Sequence, residues 1–299
     1  MSTITTGRSL WGNAAVRLRR DPVSLVCLAV IVVYVVIAVV SPFMLSHWDA
    51  SYNYEMRNNP PSKQFLLGSD GLGRSVLQKT LLGAHVSMTV GFMANIIAIP
   101  LGFLLGAFAG YFGRRIDDLI VWFYTTVASI PGIILLIALK FAFADKKIFS
   151  GSFCEIDLSG MAGVYLALGL ISWIGTCRLV RAETMKIKEL DYVLAARASG
   201  RSDLAILFRH ILPNVIHIGI INFSLGFVGA IGAEVILSFL NLGVQNLPSW
   251  GKMINDARMD LVVGRWWELA SATGAMFVIV LAWNIFGDRL RDALDPKLK

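Results

Sequence analysis

Charge is scarce in this chain. Lys, Arg, Asp and Glu make up only 16% of its 299 residues, whereas 56% are hydrophobic. A soluble globular domain carries about a quarter charged residues, so the deficit argues against an ordinary water-solvated surface. Cysteine is rare too. Cys27, Cys154 and Cys177 stand far apart, with no CxxC or Cys/His ligand spacing, which excludes a disulfide framework and a structural zinc site. The four histidines, His47, His85, His210 and His217, are equally scattered and make no metal cluster. There is no low-complexity tract, no internal repeat, no paired-carboxylate site in a soluble fold and no Ser/His/Asp arrangement with a scaffold to hold it. Catalysis by this chain alone is therefore not expected. The net charge of +7 does not point to nucleic acid in so apolar a chain. It fits basic residues retained on one side of a membrane.

What the sequence has instead is long apolar runs. About 20 apolar residues cross a hydrocarbon core, and six runs approach or exceed that length, at 23–45, 86–110, 119–139, 161–179, 213–237 and 269–286. They predict an all-α, polytopic membrane protein with six transmembrane helices in one domain spanning 1–299. Residues 1–22 form an N-terminal segment, 23–288 the six-helix core and 289–299 a charged tail. The first run follows Arg8, Arg17, Arg19 and Arg20, as a signal peptide would. It is long, however, and no small-residue cleavage site follows Ser41 and Pro42, so it is expected to be a retained span. Gly102, Gly106 and Gly110 recur every four residues on one face of the second span, a spacing that lets helix backbones approach closely in lipid. Pro100 should kink that span, and Pro131-Gly132 marks a weak point in the third. The segments 46–79, 140–160 and 238–268, the last with Trp250, Trp266 and Trp267, are predicted as loops. With the N-terminus inside, seventeen Lys and Arg fall on the inner side and nine on the outer. Both termini are expected in the cytoplasm.

The most informative stretch is polar. Residues 191–214, DYVLAARASGRSDLAILFRHILPN, form a charged island between the fourth and fifth spans. The pattern predicts two short helices, broken at Gly200 and stopped by Pro213. Tyr192, Val193, Ala196 and Ala198 give the first a small apolar side. Leu204, Ile206, Leu207, Phe208, Ile211 and Leu212 do the same for the second. Arg197, Arg201, Asp203 and Arg209 ring them with charge. Two roles fit: a knob that plugs into another protein, or an amphipathic segment lying on lipid headgroups.

Four further features stand out. Gly68 to Ser75 nearly spells a phosphate-cradling loop, but Arg74 replaces its lysine, no βαβ pattern surrounds it, and the charge count puts it outside the cell. A Gly-rich turn is expected there, with Asp70 capping a helix or pairing with Arg74. Glu234 is the one carboxylate inside an apolar span. A lone charge near the bilayer centre costs about 2.5–3.5 kcal/mol on insertion scales, so it either lines a pathway or sits paired or wet near the outer end of the span. Lys140, at a span end, is expected to snorkel to the interface, and His217 to be a hydrogen-bonded packing residue.

The 191–214 stretch resembles the coupling loop of ATP-binding-cassette importer permeases, whose consensus is Glu-Ala-Ala, a spacer, Gly, nine residues and Ile-x-Leu-Pro. Ala195 and Ala196 match the alanines, Gly200 the glycine, and Leu212 with Pro213 the ending. Leu194 stands in place of the glutamate, which removes a charge, and His210 in place of the isoleucine. The resemblance to the dipeptide/oligopeptide/nickel branch extends over nearly the whole chain. It takes in Leu67-Gly68-Ser69-Asp70-Gly71-Leu72-Gly73-Arg74-Ser75, 105–113, 172–181, the Leu237-Ser-Phe-Leu-Asn241-Leu-Gly243 segment with Asn241 for a glycine, Pro248-Ser-Trp-Gly251, and 286–296. It is weakest over 140–160.

The resemblance implies the type I importer architecture and the second permease subunit of such a system in a prokaryotic plasma membrane. It implies a coupling loop at 182–212, in which Tyr192, Leu194, Ala195, Ala196, Gly200, Asp203, Arg209 and Pro213 take part. It also implies partners: a sister permease, two cytoplasmic ATP-binding subunits that hold the ATP and magnesium, and an extracytoplasmic solute-binding protein. No cofactor is expected in this chain. Peptides are the expected cargo. Nickel or another small solute, and a self-sufficient gradient-driven carrier using Glu234, are the alternatives.

Overall fold

The computed structural model describes residues 10–45, 47–48, 52–143, 146–148 and 156–294. Among these, helices dominate. An amphipathic helix α1 (Leu10–Arg20) leads into α2 (Pro22–Met44). Asp21 separates them, its carboxylate accepting the Val23 and Ser24 amides at 3.3 Å, with Pro22 placed where its missing N–H costs nothing. Then follow α3 (Val76–Phe112), α4 (Arg114–Ala128), α5 (Gly132–Phe143), α6 (Met161–Ile187), α7 (Asp191–Ala198) and α8 (Asp203–Ile206). A π turn (Leu207–Ile211) joins α8 to α9 (Leu212–Phe239), and α10 (Trp250–Ala257) and α11 (Trp267–Leu294) complete the order. Extended pairing among the described residues is limited to a two-residue ladder, β1 (Lys147–Ile148) against β2 (Ile156–Asp157), antiparallel with Lys147 opposite Asp157, and a bridge between Ser69 and Ser75. Cys154 lies outside the described residues.

Among the described residues, five helices are long and apolar enough to cross a membrane: α2, α3, α6, the run from Asp203 through Phe239, and α11. The third span is not straight. Its two halves, α4 and α5, meet at 90° across Ser129, Ile130 and Pro131, where the sequence has its Pro-Gly weak point. Counted as one broken span, the pair makes six. The spans outrun their apolar cores: α3 starts ten residues before position 86, and α6 continues eight past 179. α3 also runs through Pro100 without a break. The 238–268 loop contains the helix α10, capped by Ser249, whose hydroxyl accepts the Lys252 amide at 3.1 Å.

The chain divides into two compact units. The first comprises 1–89 and 244–299. There Trp250 is fully buried; its indole N–H donates to the Thr80 carbonyl at 3.0 Å and its backbone N–H to the Ser87 hydroxyl at 3.3 Å. Tyr34 of α2 donates to the Ala275 carbonyl of α11 at 2.9 Å. A buried ionic group ties the start of α3 to the start of α11: Lys79 Nζ lies 2.6 Å from Glu268 and 3.6 Å from Asp70. The Gly-rich turn sits beside it, with Gly68 and Gly73 both at positive φ. Asp70 takes one of the two roles expected of it: it pairs with Arg74, while its other oxygen closes the turn and caps no helix. Its Oδ1 accepts the Leu72 and Arg74 amides at 2.9 Å, and its Oδ2 accepts Arg74 Nε at 3.0 Å. The carboxylate thus occupies the amides a phosphate would need, and no nucleotide cradle remains.

The second unit comprises 90–243. Its organising contact is α3 on α6. A Cβ on Gly106 would stand 2.5 Å from the Cys177 carbonyl oxygen, and one on Gly110 would stand 2.6 Å from that of Arg181; one on Gly102 would strike the Trp173 carbonyl. The every-fourth glycine spacing is this packing. On α4, Asp117 takes a bidentate pair from Arg181 of α6, with Nε at 2.5 Å and the second nitrogen at 2.6 Å. Lys140, at the end of α5, is buried, and its ammonium donates to the carbonyls of Ser159 (2.8 Å) and Gly160 (3.2 Å) in the turn before α6.

Candidate docking loop and its surroundings

α7 ends in a Schellman cap. The Gly200 N–H donates to Arg197 O at 3.0 Å and the Arg201 N–H to Ala196 O at 3.3 Å, with Gly200 at φ +76°. Only a residue without a Cβ takes this conformation freely, so the chain breaks here. Ser202 then caps α8, its hydroxyl accepting the Ala205 amide at 3.4 Å.

Pro213 does not end the second helix, as the sequence suggests it would. The π turn widens the coil so that the Leu212 N–H reaches Leu207 O, five residues back, and α9 begins with proline in its first turn. There its missing N–H leaves no intrahelical bond broken. The Asn214 side chain follows by donating to His210 O at 2.6 Å and to the Tyr192 hydroxyl at 3.2 Å.

One face of this segment is sealed onto the protein. Val193, Ala196, Ile206, Leu207, Ile211 and Leu212 pack with Tyr111 and Ala107 of α3 and with Val180 and Ile187 of α6. The Tyr111 hydroxyl donates to Asp203 at 2.7 Å, and the Arg197 guanidinium lies 5.6 Å from its ring centroid. One phenol thus ties α7 and α8 to α3. Hydrogen bonding to that hydroxyl holds the Arg197 pKa above the usual guanidinium value. Partial burial pushes the Tyr192 phenol up.

The other face is open. Tyr192 and Leu194 are 45% and 41% exposed, and Leu204 and Phe208 both 53%. Ala195, Gly200, Arg201, Asp203, Arg209 and Pro213 are also on the surface. The apolar sides drawn from the sequence are therefore divided. Val193 and Ala196 face the core while Tyr192 and Ala198 face out; Leu204 and Phe208 face out while Ile206, Leu207, Ile211 and Leu212 face in.

Glu234 does not belong to this group. It lies 21 residues along the α9 run from Pro213, roughly 30 Å at 1.5 Å per residue. It is fully buried, and Ser238 donates to its Oε1 at 2.9 Å. His217 is the bonded residue expected, with Nδ1 2.9 Å from Asn214 O. Among the described residues no three His, Cys, Asp or Glu side chains gather into a cluster that could hold a metal ion.

A second feature escaped the sequence. A groove of about 540 Å³ runs along α4, lined by Asp118, Val121, Trp122, Thr125, Thr126 and Ser129. The signal was present: Asp118, Trp122, Thr125, Thr126 and Ser129 recur at helical spacing and put hydroxyl groups on one side of an apolar span.

Residues 102–299, well over half the chain, match the model of the binding-protein-dependent transport system inner membrane component. The chain belongs to that family. Residues 9–61 also match the N-terminal transmembrane domain of oligopeptide transport permease C. Over nearly its whole length this permease resembles three named relatives. It is 33% identical to the dipeptide transport system permease protein DppC of Bacillus subtilis, covering 95% of this chain and 84% of the relative. It is 34% identical to the glutathione transport system permease protein GsiD of Pectobacterium atrosepticum, covering 98% and 93%. It is 31% identical to the oligopeptide transport system permease protein OppC of Bacillus subtilis, covering 97% and 91%. A chain of the MetNI methionine ABC transporter, solved in inward-facing conformations, superposes with a TM-score of 0.51 at 16% identity. That match covers 73% of this chain and 94% of the MetNI chain and speaks for the fold alone. The permease is thus a multi-pass membrane protein with the ABC-importer permease fold.

Asn241, which the resemblance sets in place of a glycine, follows the last turn of α9. It caps α9 in the left-handed region at φ +56°, with the Leu242 N–H donating to Leu237 O at 2.8 Å and its own N–H to Ser238 O at 3.0 Å. Asparagine is among the few residues with a side chain that take this conformation at small cost, so the cap survives the exchange.

Proposed function

We propose that this permease is one half of a heterodimeric translocation pathway for peptides, driven by ATP hydrolysed in other subunits. The observation that carries the reading is the two-faced α7–α8 segment: one side sealed by Tyr111 and the α3–α6 packing, the other presenting Tyr192, Leu194, Leu204 and Phe208 with basic residues around them. A segment merely resting on headgroups has no need of so rigid a backing. Two cytoplasmic ATP-binding subunits, which hold ATP and magnesium, dock one each on this loop and on its counterpart in a sister permease. Leu194 makes that contact apolar where a carboxylate is usual. An extracytoplasmic solute-binding protein delivers the cargo. Both termini lie in the cytoplasm of a prokaryotic cell, as the Lys and Arg distribution favours.

Peptide cargo is supported by the relatives' names, which refer to dipeptides, oligopeptides and glutathione. The hydroxyl-lined groove on α4 suits it chemically, since Thr and Ser side chains both donate to and accept from amide groups. Closure of the ATPases draws the two loops together and tips the spans between inward and outward openings. That switch is driven by the difference in binding free energy between the two states. Burial and the Ser238 bond support a packing role for Glu234 over a pathway role.

The test is reconstitution in vesicles. With the ATPases and binding protein present, ATP should drive uptake of a labelled dipeptide and not of nickel. Gradient-driven uptake by the permease alone would contradict the proposal.

A further inference from the structure

At the N-terminal end of α2 an aliphatic groove of about 450 Å³ runs between α2 and α11, with Val26 and Cys27 on one wall and Val278 and Leu281 on the other. Pro22, Val23 and Ile285 carry it toward the end of the span. There a second groove of about 330 Å³ begins, lined by Arg17, Asp21, Arg289 and Asp292. The two are neighbours along both helices: Asp21 precedes Pro22, and Arg289 lies one turn beyond Ile285. All of these residues belong to the first unit. Apolar lining over a span followed by charged lining at its end is the profile of an amphiphile, with its chain in the span and its head at the interface. The amphipathic α1, whose last turn carries Arg17, Arg19 and Arg20, fits that depth.

The charges narrow the ligand. The polar groove holds two guanidinium and two carboxylate groups, so it is balanced and suits a headgroup carrying both signs. Asp21 is largely committed, since it caps α2 and lies 3.5 Å from Arg289 Nε. Asp292 is the carboxylate on the exposed side. Arg17 and Arg289 suit a phosphodiester, and Asp292 suits a primary ammonium that can donate hydrogen bonds.

We infer that this composite groove is a binding site for one aminophospholipid, its acyl chain between α2 and α11 and its zwitterionic head against Arg17, Arg289 and Asp292. A lipid here fills the seam between the first and last spans and braces α1 on them. A helix of another subunit could cover the apolar groove, but it would leave the balanced polar groove without a charged occupant.

Native mass spectrometry of the full chain, purified within its transporter complex, tests this with three probes: phosphatidylethanolamine, phosphatidylglycerol and water-soluble glycerophosphoethanolamine. The wild type should retain one phosphatidylethanolamine, about tenfold better than phosphatidylglycerol, and should not retain the chainless headgroup. Val26→Trp, at a 64% exposed position, and Leu281→Trp from the opposite wall should each cut retention about tenfold. Asp292→Asn should erase the preference between the two lipids while still binding both. Equal retention of the two lipids by the wild type, or retention of the chainless headgroup, would overturn the inference. So would unchanged retention in both tryptophan variants, or a cross-link from Val26→Cys to another subunit in native membranes.

Discussion

Adding one carbon at Gly106 tests the α3–α6 packing on which the docking segment stands. In Gly106→Ala the new Cβ would lie 2.5 Å from Cys177 O, 3.0 Å from Val180 Cβ and 3.1 Å from Arg181 N. Two of these are backbone atoms of α6, so no rotamer change relieves them, and one helix must shift. Overpacking of this kind costs about 1–3 kcal/mol, against a gain of up to about 1 kcal/mol from better helix propensity. At about 2–4 °C per kcal/mol for a large chain, the unfolding midpoint should fall by several degrees. Gly175→Ala, on α6, is the matched control, because its Cβ meets nothing within 4 Å. Cys27 and Cys177 are buried, so a thiol-reactive dye during a thermal ramp reports the opening of the fold. Gly106→Ala as stable as Gly175→Ala would mean that the helices do not pack as described.

Tyr111→Phe removes the hydroxyl bonded to Asp203 at 2.7 Å without changing volume. A bond to a charged group contributes about 1.5–3 kcal/mol, less here because Asp203 is exposed and regains water. Amide exchange in 191–206 should quicken several-fold with α3 unaffected, as measured by hydrogen–deuterium exchange. Lys79→Met leaves the Glu268 carboxylate buried without its partner at 2.6 Å and should cost about 3–5 kcal/mol; adding Glu268→Leu should restore much of the loss in the same thermal ramp. Gly200→Pro imposes φ near −65° where the chain needs +76° and deletes the bond to Arg197 O. Hydrolysis should then continue while peptide uptake in vesicles falls at least tenfold, a factor of about 1.4 kcal/mol. Normal assembly and transport in that variant would count against a docking role.

What the sequence revealed depended on range. Gly102, Gly106 and Gly110 announce a packing seam because four residues is close to a helical turn. The Gly200 break and the Asp70–Arg74 pairing are local in the same way. The missed features join distant residues or need geometry that composition does not encode. Lys79 and Glu268 are 189 positions apart, and Tyr111 and Asp203 are 92. Pro213 looks like a stop because a regular α-helix excludes proline beyond its first turn; nothing in the residues announces a π turn that lets the helix restart there. The Pro131-Gly132 weak point was legible, but the 90° between α4 and α5 was not. The bonds from Lys140 to the carbonyls of Ser159 and Gly160 were equally out of reach, because they cross a loop whose path the sequence does not give.

The central claim is that the open side of α7–α8 grips an ATP-binding subunit. A photoreactive residue at Leu204, 53% exposed on that side, tests it in native membranes, with Leu170 on α6, 41% exposed, as reference. Leu204 should cross-link to an ATP-binding protein with a yield that changes on adding ATP, and Leu170 should not. Cross-linking of Leu204 to lipid alone, or to a protein on the outer face, would contradict the account.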